Sequence, residues 1–241
     1  MNAVRRIVIA LAILAALLLL IAGPGTRLGL WEFGFGFTLM RWALYGGIAA
    51  AVLALLLLVM PAGRRGGMSG LIVAFALGLG TAAVPWALVQ KAQSLPRIHD
   101  ISTDTVNPPD FVAVVPLRAD APNPPDYAGQ ETAEQQREAY PDIRPLEVET
   151  WPAIVFERAL ESARAQGWDI VEADEESGRI EATDTTLWFG FKDDVVIRIR
   201  GDGRGSIVDV RSKSRVGLSD VGANAERIRG YLRDLAARIE S

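Results

Sequence analysis

Asp194, Arg198 and Arg200 share one parity in the sequence, and a few residues later Asp209, Arg211, Lys213 and Arg215 share another. Successive side chains of a β-strand point to opposite faces, so each set stands together, with Val195, Ile197, Ile199, Val208 and Val210 turned the other way. The turn Gly201-Asp-Gly-Arg-Gly205 joins the two strands into a hairpin and makes the charged faces neighbours. Glu181, Thr183 and Thr185 extend the face from the preceding strand. Arginine presents a planar fork suited to carboxylate or phosphate, and five basic groups against two acids make this an anion-docking face in chemical type. The competing reading is a solvated face of cross-strand ion pairs, each worth roughly 0.2–1 kcal/mol.

A second candidate follows it. The loop from Ser212 to Ser219 is rich in Ser, Gly and basic residues and leads into a helix, whose free amides can cradle an anion; Asp220 argues instead for ordinary capping. Asn224 and Arg227 lie in the first turns of that helix. Catalysis finds less support. His99 beside Asp100 and Asp104 has the types of a general base and its orienting acid, but Asp followed by Ser or Thr is also the grammar of a backbone turn. Asp193, Asp194 and Asp209 with Arg211 or Arg215 could serve a cofactor-independent hydrolase or lyase, yet adjacent carboxylates on a strand face apart and cannot act as one dyad. No Gly-x-Ser-x-Gly occurs, and a chain with no Cys and one His lacks thiolate chemistry and the usual His-based metal sites. No residue is therefore assigned as catalytic or metal-binding, and no cofactor is expected.

These residues need a scaffold, and residues 150–241 carry the periodic sequence for one. Ala153, Phe156, Leu160 and Ala163 recur at helical spacing behind Thr150-Trp151-Pro152, with Thr150 as the expected cap and Gly167 as the stop. Strands are expected over 168–173, 179–188, 191–200 and 206–216. A final helix is expected from Ser219 to Ile239, with a stripe through Val221, Ala225, Ile228, Leu232, Leu235 and Ile239. An antiparallel sheet backed by two helices follows, leaving the charged face open to water.

The rest of the chain divides by solvent. Up to Pro96 there are seven Lys/Arg and one acid; beyond it there are 18 Lys/Arg and 28 Asp/Glu. Three apolar runs, 7–22, 42–60 and 71–89, have the length of membrane spans, about 19 residues for a ~30 Å core. The first is short enough to resemble a signal peptide, but no clean Ala-x-Ala site follows it. Residues 1–90 are read as a three-helix anchor. Gly46, Ala50 and Ala54, with Ala74 and Gly78, predict close helix approach, within one chain or between copies. The aromatic run Trp31-Glu-Phe33-Gly-Phe35-Gly-Phe37 reads as an interfacial belt or as a hydrophobic lid. Arg5 and Arg6 ahead of the first span, and the short loop bearing Arg64 and Arg65, favour a cytoplasmic N-terminus. That places the C-terminal domain in the periplasm of a bacterial inner-membrane protein.

Residues 91–149 hold nine of the thirteen prolines and read as an acidic, extended connector, with one short strand over 111–116. Residues 187–241 carry +3 and residues 97–186 carry −13, so the basic face could also bind the connector itself. Nucleic acid is disfavoured as a partner by the net charge of the outer portion. Oligomeric state leaves no signature.

Four strings carry a family likeness: IHDISTDTVNPPDF from Ile98, AYPDIRPL from Ala139, GFKDDVVIRI from Gly190 and VDVRSKSRVGLSDVGANAERIRGYL from Val208. In this order they resemble the bacterial family called domain of unknown function 1499 (DUF 1499). The resemblance brings no activity with it. It marks as residues to suspect His99, Asp100, Asp104, Asp193, Asp194, Arg198, Asp209, Arg211, Ser212, Ser214, Arg215, Ser219, Asp220, Asn224 and Arg227. The expectation is an α+β protein on a membrane anchor: an envelope accessory protein docking an anionic ligand, lipid headgroup or partner protein through Asp194, Arg198, Arg200, Asp209, Arg211, Arg215, Ser219, Asn224 and Arg227. The alternatives are the hydrolase or lyase above and a structural role in membrane-helix assembly.

Overall fold

The computed structural model describes residues 2–61 and 68–240, in two compact units. Arg64 and Arg65, which bear on the topology expectation, lie outside the described residues.

The first unit contains α1 (Asn2–Arg27), α2 (Phe33–Val59) and most of α3 (Ser69–Ser94), together with residues Leu187–Gly190. Each helix has 26 or 27 residues and is long and apolar enough to cross a membrane. The helices outrun the apolar stretches because helix continues through Gly23-Pro24 and begins already at Phe33. Small residues set the crossings. A Cβ at Gly47 would lie 2.6 Å from the Gly78 carbonyl, and one at Gly78 would lie 2.6 Å from the Gly47 carbonyl, so α2 and α3 touch backbone to backbone. Gly46 faces Ala15 of α1, while Ala50, Ala54 and Ala74 share a core with Val8, Ala12, Leu57 and Leu71. The predicted close approach is thus made within one chain.

The second unit contains residues 94–186 and those from 191 onward. Its antiparallel sheet has six strands: β1 (Asp100–Ser102), β2 (Leu146–Val148), β3 (Asp169–Asp174), β4 (Arg179–Thr185), β5 (Lys192–Gly201) and β6 (Ser206–Ser214). The order is β1-β6-β5-β4-β3, and β2 pairs with the other end of the same β6 edge as β1. Helices α5 (Pro152–Ala165) and α6 (Ala223–Glu240) cover one face. Val155, Phe156, Ala159 and Ala163 of α5 meet Ile228, Tyr231 and Leu235 of α6 over Ile180, Ala182, Val195, Ile197, Val208 and Val210. Trp168 stacks on Tyr231 at 5.1 Å, and the Tyr231 hydroxyl donates to the Ala159 carbonyl at 3.1 Å. The α+β architecture and the strand parity are as the sequence pattern implies.

The connector differs from expectation. Residues 91–94 end α3, and residues 95–149 are not a separate stalk: they supply β1, β2, a 3-10 turn over Val115–Arg118 and α4 (Gln130–Ala139), all packed into the second unit. The long β6 would otherwise leave an open edge, and β1 and β2 close it. No strand forms over 111–116, where Pro109 and Pro116 interrupt donors; Phe111 and Val114 instead turn inward onto Val196. Helix α4 was hidden because it offers the core only Ala133 and Gln136.

Two helix starts also move. Thr150 does not cap α5; its carbonyl accepts from Ser206 Oγ at 2.6 Å. Helix α6 begins at Ala223 rather than Ser219, because Val221 and Gly222 have φ of +53° and +77°. The Asp220 carboxylate caps it, accepting from the Gly222 and Asn224 amides at 2.9 and 2.7 Å.

Candidate functional site

The charged sheet face is built as predicted, with Asp194 opposite Lys213 and Arg198 opposite Asp209 in register, but it is not open to water. The connector lies across it. Asp100, Asp194, Asp209, Arg211 and Lys213 are all buried. The arrangement resolves into three carboxylates, each held by two cations.

Asp100, from the connector, takes Arg211 in a bidentate pair at 2.9 and 3.0 Å and Lys213 at 3.1 Å. It also accepts the Ala128 amide at 3.1 Å. The guanidinium of Arg211 lies 4.7 Å from the Phe111 ring and 5.3 Å from the Tyr127 ring. Burial, opposed by Asp100, lowers the Lys213 pKa. Burial and the neighbouring Asp100 charge push the Tyr127 phenol up to about 12.

Asp194 takes Arg118 of the connector at 2.8 Å and Arg215 through two contacts of 2.8 Å, with the Thr183 hydroxyl donating at 2.7 Å. Next to it Glu181 accepts the connector amides of Val112 and Val114, both at 2.9 Å. Asp209 takes Arg198 and Arg200, each with a closest contact of 2.8 Å, and Arg198 also reaches Asp104 at 3.2 Å. Asp209 Oδ1 has no hydrogen-bond partner among the described residues.

Six cations on three carboxylates leave donors in surplus, and the connector absorbs them with main-chain carbonyls. Arg211 donates to Pro109 and Pro125, Lys213 to Asp126, Arg198 to Asn107, Arg118 to Asn123 and Arg215 to Leu117. A proline-rich segment outside regular structure suits this task, because its carbonyls have few local N–H partners.

A second polar cluster sits on the helix side of the sheet. The Arg227 guanidinium bridges Asp193 at 2.6 Å and Asp184 at 2.7 Å, and also donates to Ser212 Oγ and to Asn224. Asn224 accepts from Ser212 Oγ at 2.7 Å and donates to Ser214 Oγ and the His99 carbonyl. Burial raises the pKa of Asp220 and lowers that of His99. Ser219 Oγ accepts the Val221 amide, a turn contact.

The predicted residues therefore divide among three places. Asp194, Arg211 and Arg215 lie under the connector; Asn224 and Arg227 belong to the cluster behind the sheet; Arg198, Arg200 and Asp209 form the end nearest solvent. Only Arg200 of the three keeps much of its side chain exposed, 44%. The ligand-binding expectation for Asp194 and Arg211 meets a plain obstacle, because their polar atoms are enclosed by this chain. Sequence reasoning passed over Arg118 and Asn123, whose only signal was that Arg118 is the one basic residue of 103–128. Lys213, part of the charged face by strand parity, joins the site through Asp100. Among the described residues, no group of three His, Asp or Glu side chains is placed to hold a metal ion.

At the β5–β6 turn the surface changes character. Residues 148–152 flank Gly201–Gly205: a Cβ at Gly205 would lie 2.0 Å from the Val148 carbonyl, and one at Gly201 would lie 3.5 Å from Pro152. Trp151, 71% exposed, and Ile154, 50% exposed, therefore lie at the same end of the sheet as this turn and the exposed Arg204, while Arg200 points to the opposite face with Asp209.

A family model described as "protein of unknown function (DUF1499)" matches residues 100–235. That match takes in all six strands and the connector segment that seals the charged face. No curated protein gives a significant match.

Proposed function

We propose, for a chain that belongs to the DUF1499 family and carries three membrane-length helices ahead of the family region, the role of a non-catalytic docking protein of the bacterial envelope. Its helices anchor it in the inner membrane, and its α+β domain, on the periplasmic side, receives an acidic partner protein. The observation that carries this reading is that exposed Trp151 and the solvent-reaching Arg200 and Arg204 all lie at one end of the sheet. Trp and Arg are the residues that most often dominate protein interfaces, and a large indole and cations left in water at the same sheet end fit an apolar and acidic counterpart. Docking is thus narrowed from the whole Arg/Asp face to its Arg198–Arg200 end.

The hydrolase or lyase reading is weaker for geometric reasons. Asp193 faces the helices and is tied to Arg227, while Asp194 and Asp209 lie on the opposite face, buried and held by two cations each. A substrate would have to displace the connector to reach them.

The test is crosslinking and copurification of the full-length protein from native membranes. A specific partner retained by the wild type and lost with Trp151→Ala and Arg200→Glu supports the assignment. Equal retention by both variants sinks it. Recovery of anionic lipid in place of protein would reassign the surface to headgroups.

A further inference from the structure

Residues Leu187–Gly190 connect β4 to β5, yet they group with the long helices. Their contacts there are close and directional. Arg27 Nη1 donates to the Leu187 carbonyl at 2.8 Å. The Trp188 indole lies over Gly23 of α1, so that a Cβ at Gly23 would fall 2.3 Å from its Cδ1. The Phe189 ring lies over Gly36 of α2, where a Cβ would fall 2.8 Å from its Cε1. Trp188 meets Phe189 edge to face at 5.1 Å, and Phe189 meets Phe37 at 5.2 Å.

The aromatic run around Phe33-Gly-Phe35-Gly-Phe37 gains a reason here. In a helix, Phe33 and Phe37 stand one turn apart, and their rings meet at 5.8 Å. Gly36 points toward α1, where a Cβ would sit 2.7 Å from Thr26 Oγ1 and 2.9 Å from the Ala22 carbonyl. Any larger residue there would fill the space that Phe189 enters. Gly190 is constrained as well: its φ is +71° and a Cβ would lie 3.2 Å from Arg27 Cα.

We propose that Trp188 and Phe189 form an aromatic clasp whose receptor is a glycine notch built by Gly23 of α1 and Gly36 of α2. The partner of this notch is the chain's own tetrapeptide, not lipid. Two rings packed on glycine backbone gain contact that acyl chains fit poorly, and the Arg27 hydrogen bond fixes the depth of entry. The clasp is independent of the docking surface, since it uses none of the same residues.

The chain has no Cys, so cysteine pairs can be placed in the full-length protein without a background thiol. In Arg27→Cys/Gly190→Cys the two Cβ positions are 3.2 Å apart, near the range a disulfide needs. Cysteine at Gly190 is strained, so Gly23→Cys/Trp188→Cys provides a second pair; Trp188 Cγ, one bond from its Cβ, is 2.6 Å from the Gly23 Cβ position. Oxidation in native membranes should give an intramolecular crosslink from both pairs. Adding Gly36→Leu to the first pair fills the notch, and overpacking of that kind shifts occupancy by roughly fivefold to a hundredfold, so the yield should fall by that order. A yield unchanged by Gly36→Leu, or no crosslink from either pair, overturns the clasp.

Discussion

Arg211→Ala removes the central cation of the sealed layer, and its cost follows from what remains. In the wild type Arg211 is fully buried, bidentate to Asp100, and donates to the carbonyls of Pro109 and Pro125. Removing one partner from a buried ion pair typically costs about 3–5 kcal/mol, because the other charge is stranded. Lys213 and the Ala128 amide still contact Asp100, which favours the lower end. The two carbonyls lose their donor, and Phe111 and Tyr127 lose the guanidinium between them, which restores part of the difference. A loss of about 3–4 kcal/mol is expected, a large share of the ~5–15 kcal/mol available to a domain. Arg200→Ala is the control: it contacts the same layer but is 44% exposed, so about 0–1 kcal/mol is expected. Denaturant unfolding of the full-length protein in detergent, with limited proteolysis of residues 103–128, measures both. If Arg211→Ala costs no more than Arg200→Ala and leaves the connector equally resistant, the sealing argument is wrong.

Other consequences are independent of that one. Burial, then the Lys213 charge, holds the His99 pKa below its ordinary 6.5, against the opposing Asp100, the Leu218 carbonyl and Asp220. The unfolded chain therefore takes up the proton first, so stability is complete above 6.5 and declines as pH falls through that value toward the lowered folded pKa. His99→Gln should flatten the change in urea midpoint over about pH 7 to 5, and an unaltered slope would refute the assignment. Gly205→Ala drives a Cβ to 2.0 Å from the Val148 carbonyl and should cost about 1–3 kcal/mol through β2, read as a lowered Tm; no change would mean that β2 does not close the β6 edge. Tyr231→Phe removes one buried hydrogen bond and should cost about 1 kcal/mol in the same assay; a neutral result would deny the bond to Ala159 any weight. A reporter fused after Ser241 should be active in the periplasm, and activity confined to the cytoplasm would reverse the topology.

Period decides what was legible here. β5 and β6 alternate strictly, so the faces of Asp194, Arg198, Asp209 and Arg211 follow from residue parity alone. The spans and the small-residue crossing at Gly78 were readable for a similar reason, a long apolar run with a repeated notch. What covers the charged face was not, because residues 103–128 have no period: Arg118 and the carbonyls of Pro109 and Pro125 act as single contacts there, and Asp100 comes from a strand of three residues. Only the opposite charge of the two halves hinted at it. Helix α4 escaped because QETAEQQREA shows one buried apolar residue, and the start of α6 slipped because a positive φ at Val221 is invisible in residue type.

The central statement is that the connector seals the Arg/Asp face as part of the fold, and amide hydrogen exchange of the full-length protein in a bilayer tests it most directly. Val112 and Val114, whose amides donate to Glu181, and Asn123, whose amide donates to the Arg215 carbonyl, should exchange as slowly as residues 195–199 of β5. Exchange of those three amides as fast as the exposed turn at 202–204 would contradict the account and reopen the face to a ligand.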